Sequence, residues 1–365
     1  MNANAIESTD DEREEVDRDR EELRGFIKSL DPSDIASGNW FTKLLGHALD
    51  AYTAKVDAAW FKAKYPGVPA DAIVDQRIKI AARYAAIEGG LSASAYSAAA
   101  MTSLVAAPVM IPAAAVTLLV DVAYTARLQM LLAYDIAVLY RVPLNLDDPD
   151  DLFKLLRVAF TIKTTQAASE GLLKAVPAIV KPMVRAFYKG ATIEAGKALP
   201  VIGKYLLQRN VIKVGIPLVG VPLSVGINFY TTLLAGRHAR AVFRNDARVT
   251  EVADRLSTRT EHPQSLLWVA WMLIMADGKV TDDEALLMKQ LTKLANEKHG
   301  VTEDDLERVI DIDMDEIWQR LGDENGDLAD LIDVAQKTAE IDGDVNKFES
   351  AVITELRNRF AESTA

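Results

Sequence analysis

The chain has 365 residues, half of them hydrophobic, with four histidines and no cysteine. That length accommodates two domains, and the composition excludes a disordered chain, a disulfide-stapled scaffold, a zinc–cysteine protein and any thiol chemistry. The net charge of −12 is unevenly spread: residues 1–34 carry 12 acidic against 5 basic side chains, residues 35–250 carry 14 against 24, and residues 251–365 carry 27 against 12. A basic middle between two acidic ends attracts either an anionic partner or the chain's own ends.

In chain order, residues 1–34 are expected to form an acidic tail, disordered or helical but solvated, without the apolar segment of a secretory leader. Phe41, Leu44, Leu45, Ala48, Leu49, Tyr52, Val56 and Trp60 recur at three- and four-residue steps and predict a helix over 39–62. The segment YPGVPAD at 65–71 stops it. A second helix is predicted from Asp71 through Ile78 to Glu88, with Gly89 and Gly90 breaking it. Residues 89–120 and 214–236 carry no charge, and each run contains two prolines: Pro108 and Pro112, then Pro217 and Pro222. The first run has the length of a membrane span, but its prolines free backbone groups that a simple span would leave unsatisfied. Two readings stand for these runs, the core of an Ala-rich helical domain or a hairpin that enters a bilayer. Both lead into a Tyr-Thr pair, Tyr124-Thr125 and Tyr230-Thr231, as a diverged duplication would.

Between and after these runs the chain is strongly basic: residues 154–248 hold 15 Lys and Arg against Glu170, Glu194 and Asp246. Lys181, Arg185, Lys189, Lys204, Arg209 and Lys213 lie among aliphatic residues, and Arg237, Arg240 and Arg244 fall on one helical face. This mixture suits an anionic membrane surface better than nucleic acid, whose binding surfaces interleave bases with polar and stacking aromatic residues. The alternative is a basic face docked against an acidic end. Asp121 lies in an apolar segment and needs a partner when buried, for which Arg127 and Arg237 are the natural candidates. His238, beside Arg237 and Arg240, completes the set Asp121, Arg127 and His238 expected as buried polar groups. Alternating β-branched stretches are scarce, so the chain is predicted to be all-α. It divides into the tail, a helical domain over 35–250 and an acidic helical domain over 258–365.

The most specific pattern is a repeat at an offset of 65 residues: VAWMLIMADGKVTDDEALLMKQLTKLA at 269–295 and VAQKTAEIDGDVNKFESAVITELRNRF at 334–360. Asp277/Asp342, Gly278/Gly343, Val280/Val345 and Glu284/Glu349 correspond. Gly278 and Gly343 are predicted to end one helix in the left-handed region. Thr281 and Asn346 are predicted to cap the next, with Glu284 and Glu349 closing capping boxes and Val280 and Val345 placed as hydrophobic staples. The pattern shares positions five to twelve of a calcium loop, but the opening positions lack acids, which rejects an EF-hand. A divalent cation, Ca or Mg, shared between the copies through Asp277, Asp282, Asp283, Glu284, Asp342, Asp344 and Glu349 is one expectation. A solvated acidic face is the other.

On these residues the C-terminal part, roughly 258–362, resembles the TerB-like family of tellurite-resistance domains. The resemblance implies an all-helical bundle of paired helices, a stress-response or membrane-linked setting and a cation. Roughly 70–248 resembles the EcsC family, on LLVDVAYTARLQMLLAYDIAVLYRVPLNLDDPDD and GIPLVGVPLSVGINFYTTLLAGRHARAVFR, with Asp121, Arg127, Tyr140, Pro222, Asn228 and Ala239 in the expected places. Val122-Ala123 and Arg141 depart from that family's pattern. The resemblance implies membrane proximity and no reaction.

No Gly-x-Ser-x-Gly elbow, phosphate loop or dinucleotide fingerprint is present, and His47, His238, His262 and His299 have no zinc spacing. The sequence therefore points to a non-enzymatic, cytoplasmic, membrane-associated stress-response protein. Its middle binds or inserts into an anionic membrane, and its acidic end serves as a regulatory module for a protein partner or a cation. A soluble adaptor, or a lipid-acting enzyme using Asp121 and His238, are the alternatives. In the first case the acidic end is expected to cover the basic middle.

Overall fold

The structure is a computed structural model describing residues 9–102, 113–161, 220–278, 280–301, 314–324 and 328–360. Every regular element among the described residues is helical. The chain forms two units, one from Met1–Ala167 and Thr192–Phe243, the other from Ala168–Ala191 and Arg244–Ala365.

The first unit opens with α1 (Asp10–Ser29), where the sequence suggested a tail. Thr9 and Glu12 form a capping box at its start, and three acids in the first turn complement the helix dipole. Val16, Arg20, Leu23 and Ile27 recur at four, three and four residues and make one buried face. Three apolar side chains among so many charges suffice to dock the helix, and composition alone hides them. The next predicted helix is two, α3 (Trp40–Thr53) and α4 (Ala58–Lys64), after the short α2 (Pro32–Ser37). They separate because Asp57 caps α4 through the Trp60 N–H at 2.7 Å.

The centre of the unit is the antiparallel-in-sequence pair α5 (Ala70–Thr102) and α6 (Ala113–Leu139), on which α1, α3, α4 and α7 (Pro149–Ala159) pack. Gly89 and Gly90 do not break α5. A Cβ on Gly90 would stand 3.3 Å from a Val225 methyl, so the glycine is used for close packing. α8 (Gly220–Arg259) contributes its first part to this unit. Pro222 lies in its first turn, where the missing N–H is not needed. At Gly236 an added Cβ would meet Ile78 at 2.8 Å and Leu132 at 3.0 Å, so only glycine lets α8 approach both central helices. The suggested duplication finds no parallel in the environments: Tyr124 is buried, whereas Tyr230 is 56% exposed. Pro108, Pro112 and Pro217 lie outside the described residues.

In the second unit α9 (Pro263–Ile274) is buried along ten consecutive residues, Ser265–Ile274. A helix apolar all round must be enclosed, and α10 (Asp282–His299), α11 (Met314–Asp323), α12 (Ala329–Ala339) and α13 (Lys347–Phe360) enclose it. Leu267, Val269, Leu287, Leu291, Leu331 and Leu356 form the heart of this core.

Candidate functional site

Both repeat turns adopt the predicted geometry. Gly278 and Gly343 have φ of +72° and +92°, conformations that cost an L side chain steric strain. Thr281 Oγ1 accepts from the Glu284 N–H at 3.2 Å, and Glu284 accepts from the Thr281 N–H at 2.7 Å and its hydroxyl at 2.9 Å. Asn346 and Glu349 repeat the box, at 3.1 and 2.8 Å. The residues before the two caps differ in burial. Val280 packs on the core, while Val345 is 41% exposed, with Ser350 at the position a staple partner would need.

The two turns meet where Asn346 Nδ2 donates to Asp277 at 3.4 Å. Burial pushes the Glu284 carboxyl up to about 7, with Asp342 and Glu349 adding to the shift and the Thr281 hydrogen bonds opposing it. Burial also raises Glu349, helped by Asp342, Asp277 and Asp344 and opposed by the Asn346 N–H. The expected cation ligands are thus divided in role. Glu284 and Glu349 are buried caps, whereas Asp277, Asp282, Asp342 and Asp344 are exposed. Asp283 binds Arg248 at 3.3 Å and Asn245 at 2.7 Å. Arg248 also donates to the Ile341 carbonyl at 2.5 Å, so a guanidinium from the second part of α8 already bridges the two copies. Among the described residues, no three acidic or histidine side chains gather at metal-ligand spacing.

Of the expected anion-binding set, Lys181, Arg185, Lys189, Lys204, Arg209 and Lys213 lie outside the described residues. Arg237 and His238 are exposed on α8, in line with exposed Tyr230 and Leu234 at helical spacing. Arg237 has no ion-pair partner among the described residues, and His238 is not buried as expected. Burial of part of its ring, and then the charge of Arg157, lower its pKa. Arg240 is turned to α5, pairing with Asp75 at 2.6 Å and Asp71 at 3.5 Å. Arg244 is exposed in the second unit.

Asp121 is buried, but neither expected arginine is its partner. Arg127 lies 3.7 Å from Glu22 of α1. Asp121 instead accepts from Asn228 Nδ2 of α8 at 2.9 Å, beside Glu88 of α5. Glu88 is 0% exposed. It also accepts from Asn228 at 3.3 Å and from Ser92, and it lies 3.5 Å from Arg20 Nε of α1. Four helices therefore converge on two carboxyl groups. Burial, then the neighbouring Asp121, hold Glu88 well above the ordinary carboxylate range, against the pull of Ser92 and Arg20. Arg20 and the pairing of Glu88 escaped sequence reasoning, and Asn228 entered it only through the EcsC resemblance. A second buried group lies further along α6: Asp135 accepts from Arg77 Nε at 2.7 Å and from the Tyr52 hydroxyl at 2.7 Å. It is fully paired, as a buried charge must be. The Asp121–His238 pair of the lipid-enzyme alternative is not assembled: His238 follows Asn228 by ten residues, roughly 15 Å along the helix.

Comparison with family models, with curated proteins and with solved structures gives no match.

Proposed function

We propose that this chain is a non-enzymatic, peripheral membrane-associated protein whose first unit recognises an anionic lipid surface through the exposed face of α8. The observation that carries this reading is the sequence of exposed side chains along that face. Tyr230 and Leu234, 56% and 42% exposed, are followed at the next turn by Arg237 and His238. An apolar tip that enters the headgroup boundary beside cations that pair with lipid phosphate is the chemistry of an interfacial helix. The basic composition of 154–248 supports the same partner.

Peripheral attachment is favoured over spanning. The one helical stretch among the described residues long and apolar enough to cross a membrane, Val116–Leu139, has 72% of its apolar window buried within the protein. It also carries Asp121, Arg127 and Asp135, which find partners from other helices of the same unit. The acidic second unit serves in this proposal as a protein-interaction module with a basic partner. A cation-responsive role is the weaker one, because Glu284 and Glu349 are occupied as caps and Asp283 by Arg248.

The test is sedimentation of the full chain with vesicles of phosphatidylcholine alone and with added phosphatidylserine. Binding only to the anionic vesicles, loss above about 0.5 M salt as screening lengths shrink, and a severalfold weakening by Arg237→Glu or Leu234→Asp are expected. Absence of binding to either vesicle would replace this reading with that of a soluble adaptor. Binding untouched by both substitutions would move the lipid contact away from α8.

A further inference from the structure

We propose that the start of α13, where Val345 and Phe348 stand beside Asp342 and Asp344, is a docking surface for a basic amphipathic helix of a partner protein. The inference rests on the reading of the second unit as a module for a basic partner and gives that reading a place.

The two repeats carry it, because one is covered where the other is bare. In the first, Asp283 in the opening turn of α10 is met by Arg248 at 3.3 Å and by Asn245 at 2.7 Å, both from α8, and Val280 packs on the core. A helix thus lies against that turn. In the second, Phe348 takes the place of Asp283, and Val345 that of Val280. These two side chains are 50% and 41% exposed, and neither belongs to those packed on the core. Ala351, one turn beyond Phe348 on α13, is exposed as well, so the bare strip continues along the helix. The hairpin itself does not call for a phenylalanine here. The first turn of a helix favours an acid, which is what Asp283 supplies in the first copy.

Charge decides the occupant. Asp342 and Asp344 are exposed and have no ion-pair partner among the described residues. Asp277 joins them across the Asn346 hydrogen bond of 3.4 Å, and the three charges act together on Glu349. Lys347 is the local cation. Its Nζ lies 4.9 Å from the Phe348 ring centre, so the ring already receives an ammonium group, and the strip stays net negative. A second copy of this chain would bring 27 acidic against 12 basic side chains over residues 251–365, and an anionic bilayer would bring phosphates. Both are repelled. A basic amphipathic helix is not: its apolar side chains cover Phe348 and Val345, and its Lys or Arg side chains reach Asp342 and Asp344 as Arg248 reaches Asp283.

The experiment measures binding of the full chain, without lipid, to a fluorescent amphipathic peptide of leucine and lysine by anisotropy. The repeat supplies the variants, since Phe348→Asp and Asp344→Lys each install the residue that the first copy carries, Asp283 and Lys279. Phe348→Asp adds negative charge while removing the ring, so attraction by charge alone would tighten binding and docking on the ring weakens it. The expected result is saturable binding, weakened about tenfold by Phe348→Asp and severalfold by Asp344→Lys. Glu297→Lys, the same change of charge at the far end of α10, should leave it unchanged. Circular dichroism checks the fold of each variant. Tightening by Phe348→Asp, or an equal loss from Glu297→Lys and Asp344→Lys, would overturn this surface and leave the module reading to a diffuse acidic face. No binding of the peptide at all would overturn both.

Discussion

Glu284 and Glu88 are both carboxyls whose pKa burial raises, yet only one of them announces itself in the sequence. Glu284 stands three residues after Thr281, and that spacing alone predicts the capping box found at 2.7 and 3.2 Å. Glu88 looks like the ordinary polar end of a helix before Gly89-Gly90. Its partner Asn228 is 140 residues away, and a contact between distant helices leaves no local periodicity. The same reason hid Arg20 and Arg248. The raised Glu284 pKa has a consequence of definite sign. The folded state keeps its proton up to about 7, while the unfolded chain loses it near the ordinary value of 4.5. This residue's contribution therefore favours folding at acid pH, declines as pH rises through that window and levels off above 7. Thermal melts of the second unit, followed by its tryptophan fluorescence, should lose midpoint from pH 5 to 7. Glu284→Gln should flatten the decline while still accepting the Thr281 hydrogen bonds. A midpoint equally pH-dependent in the variant would assign the effect to other acids of the turns.

At the scale of the element, the all-helical class was legible throughout, and so were both repeat hairpins, because three-to-four-residue periodicity and capping chemistry are local. Breaks between helices were less so. Gly89 and Gly90 were expected to end α5 from their intrinsic cost of roughly 1 kcal/mol each in a helix, but packing against α8 outweighs it. α8 itself offers a paired test of that competition. Gly226 has nothing within 4 Å of an added Cβ, whereas Gly236 would drive one to 2.8 Å from Ile78. Gly226→Ala should therefore stabilise by about 0.5–1 kcal/mol through helix propensity alone. Gly236→Ala gains the same propensity but overpacks, which costs about 1–3 kcal/mol, so it should be net destabilising, and Gly236→Val more so. Urea titrations followed by circular dichroism compare the three. A stabilising Gly236→Ala would mean that α8 moves off α5 and α6 with little resistance.

At the scale of the molecule, the charge map left the basic middle facing either an anionic partner or the chain's own acidic ends. Within the first unit, the acidic partner is α1, through Arg83, His47 and Arg127. The division at Phe243/Arg244 falls inside α8, where nothing in the sequence marks it, because a continuous helix carries one periodicity across the boundary. Two cores imply two responses to damage. Leu331 is fully buried in the second core, and Leu331→Ala should cost about 2–5 kcal/mol there. Gly236→Val acts in the first. Trp40 and Trp60 belong to the first unit and Trp268, Trp271 and Trp318 to the second. Variants retaining only one group of tryptophans, the others replaced by Phe, therefore report each core separately. Leu331→Ala should lower the transition seen from the second group and spare the first, Gly236→Val should do the reverse, and the double variant should show the two losses adding within roughly 0.5 kcal/mol. A single transition in which either substitution shifts both reporters equally would mean that the helix shared across the boundary makes the two cores unfold as one.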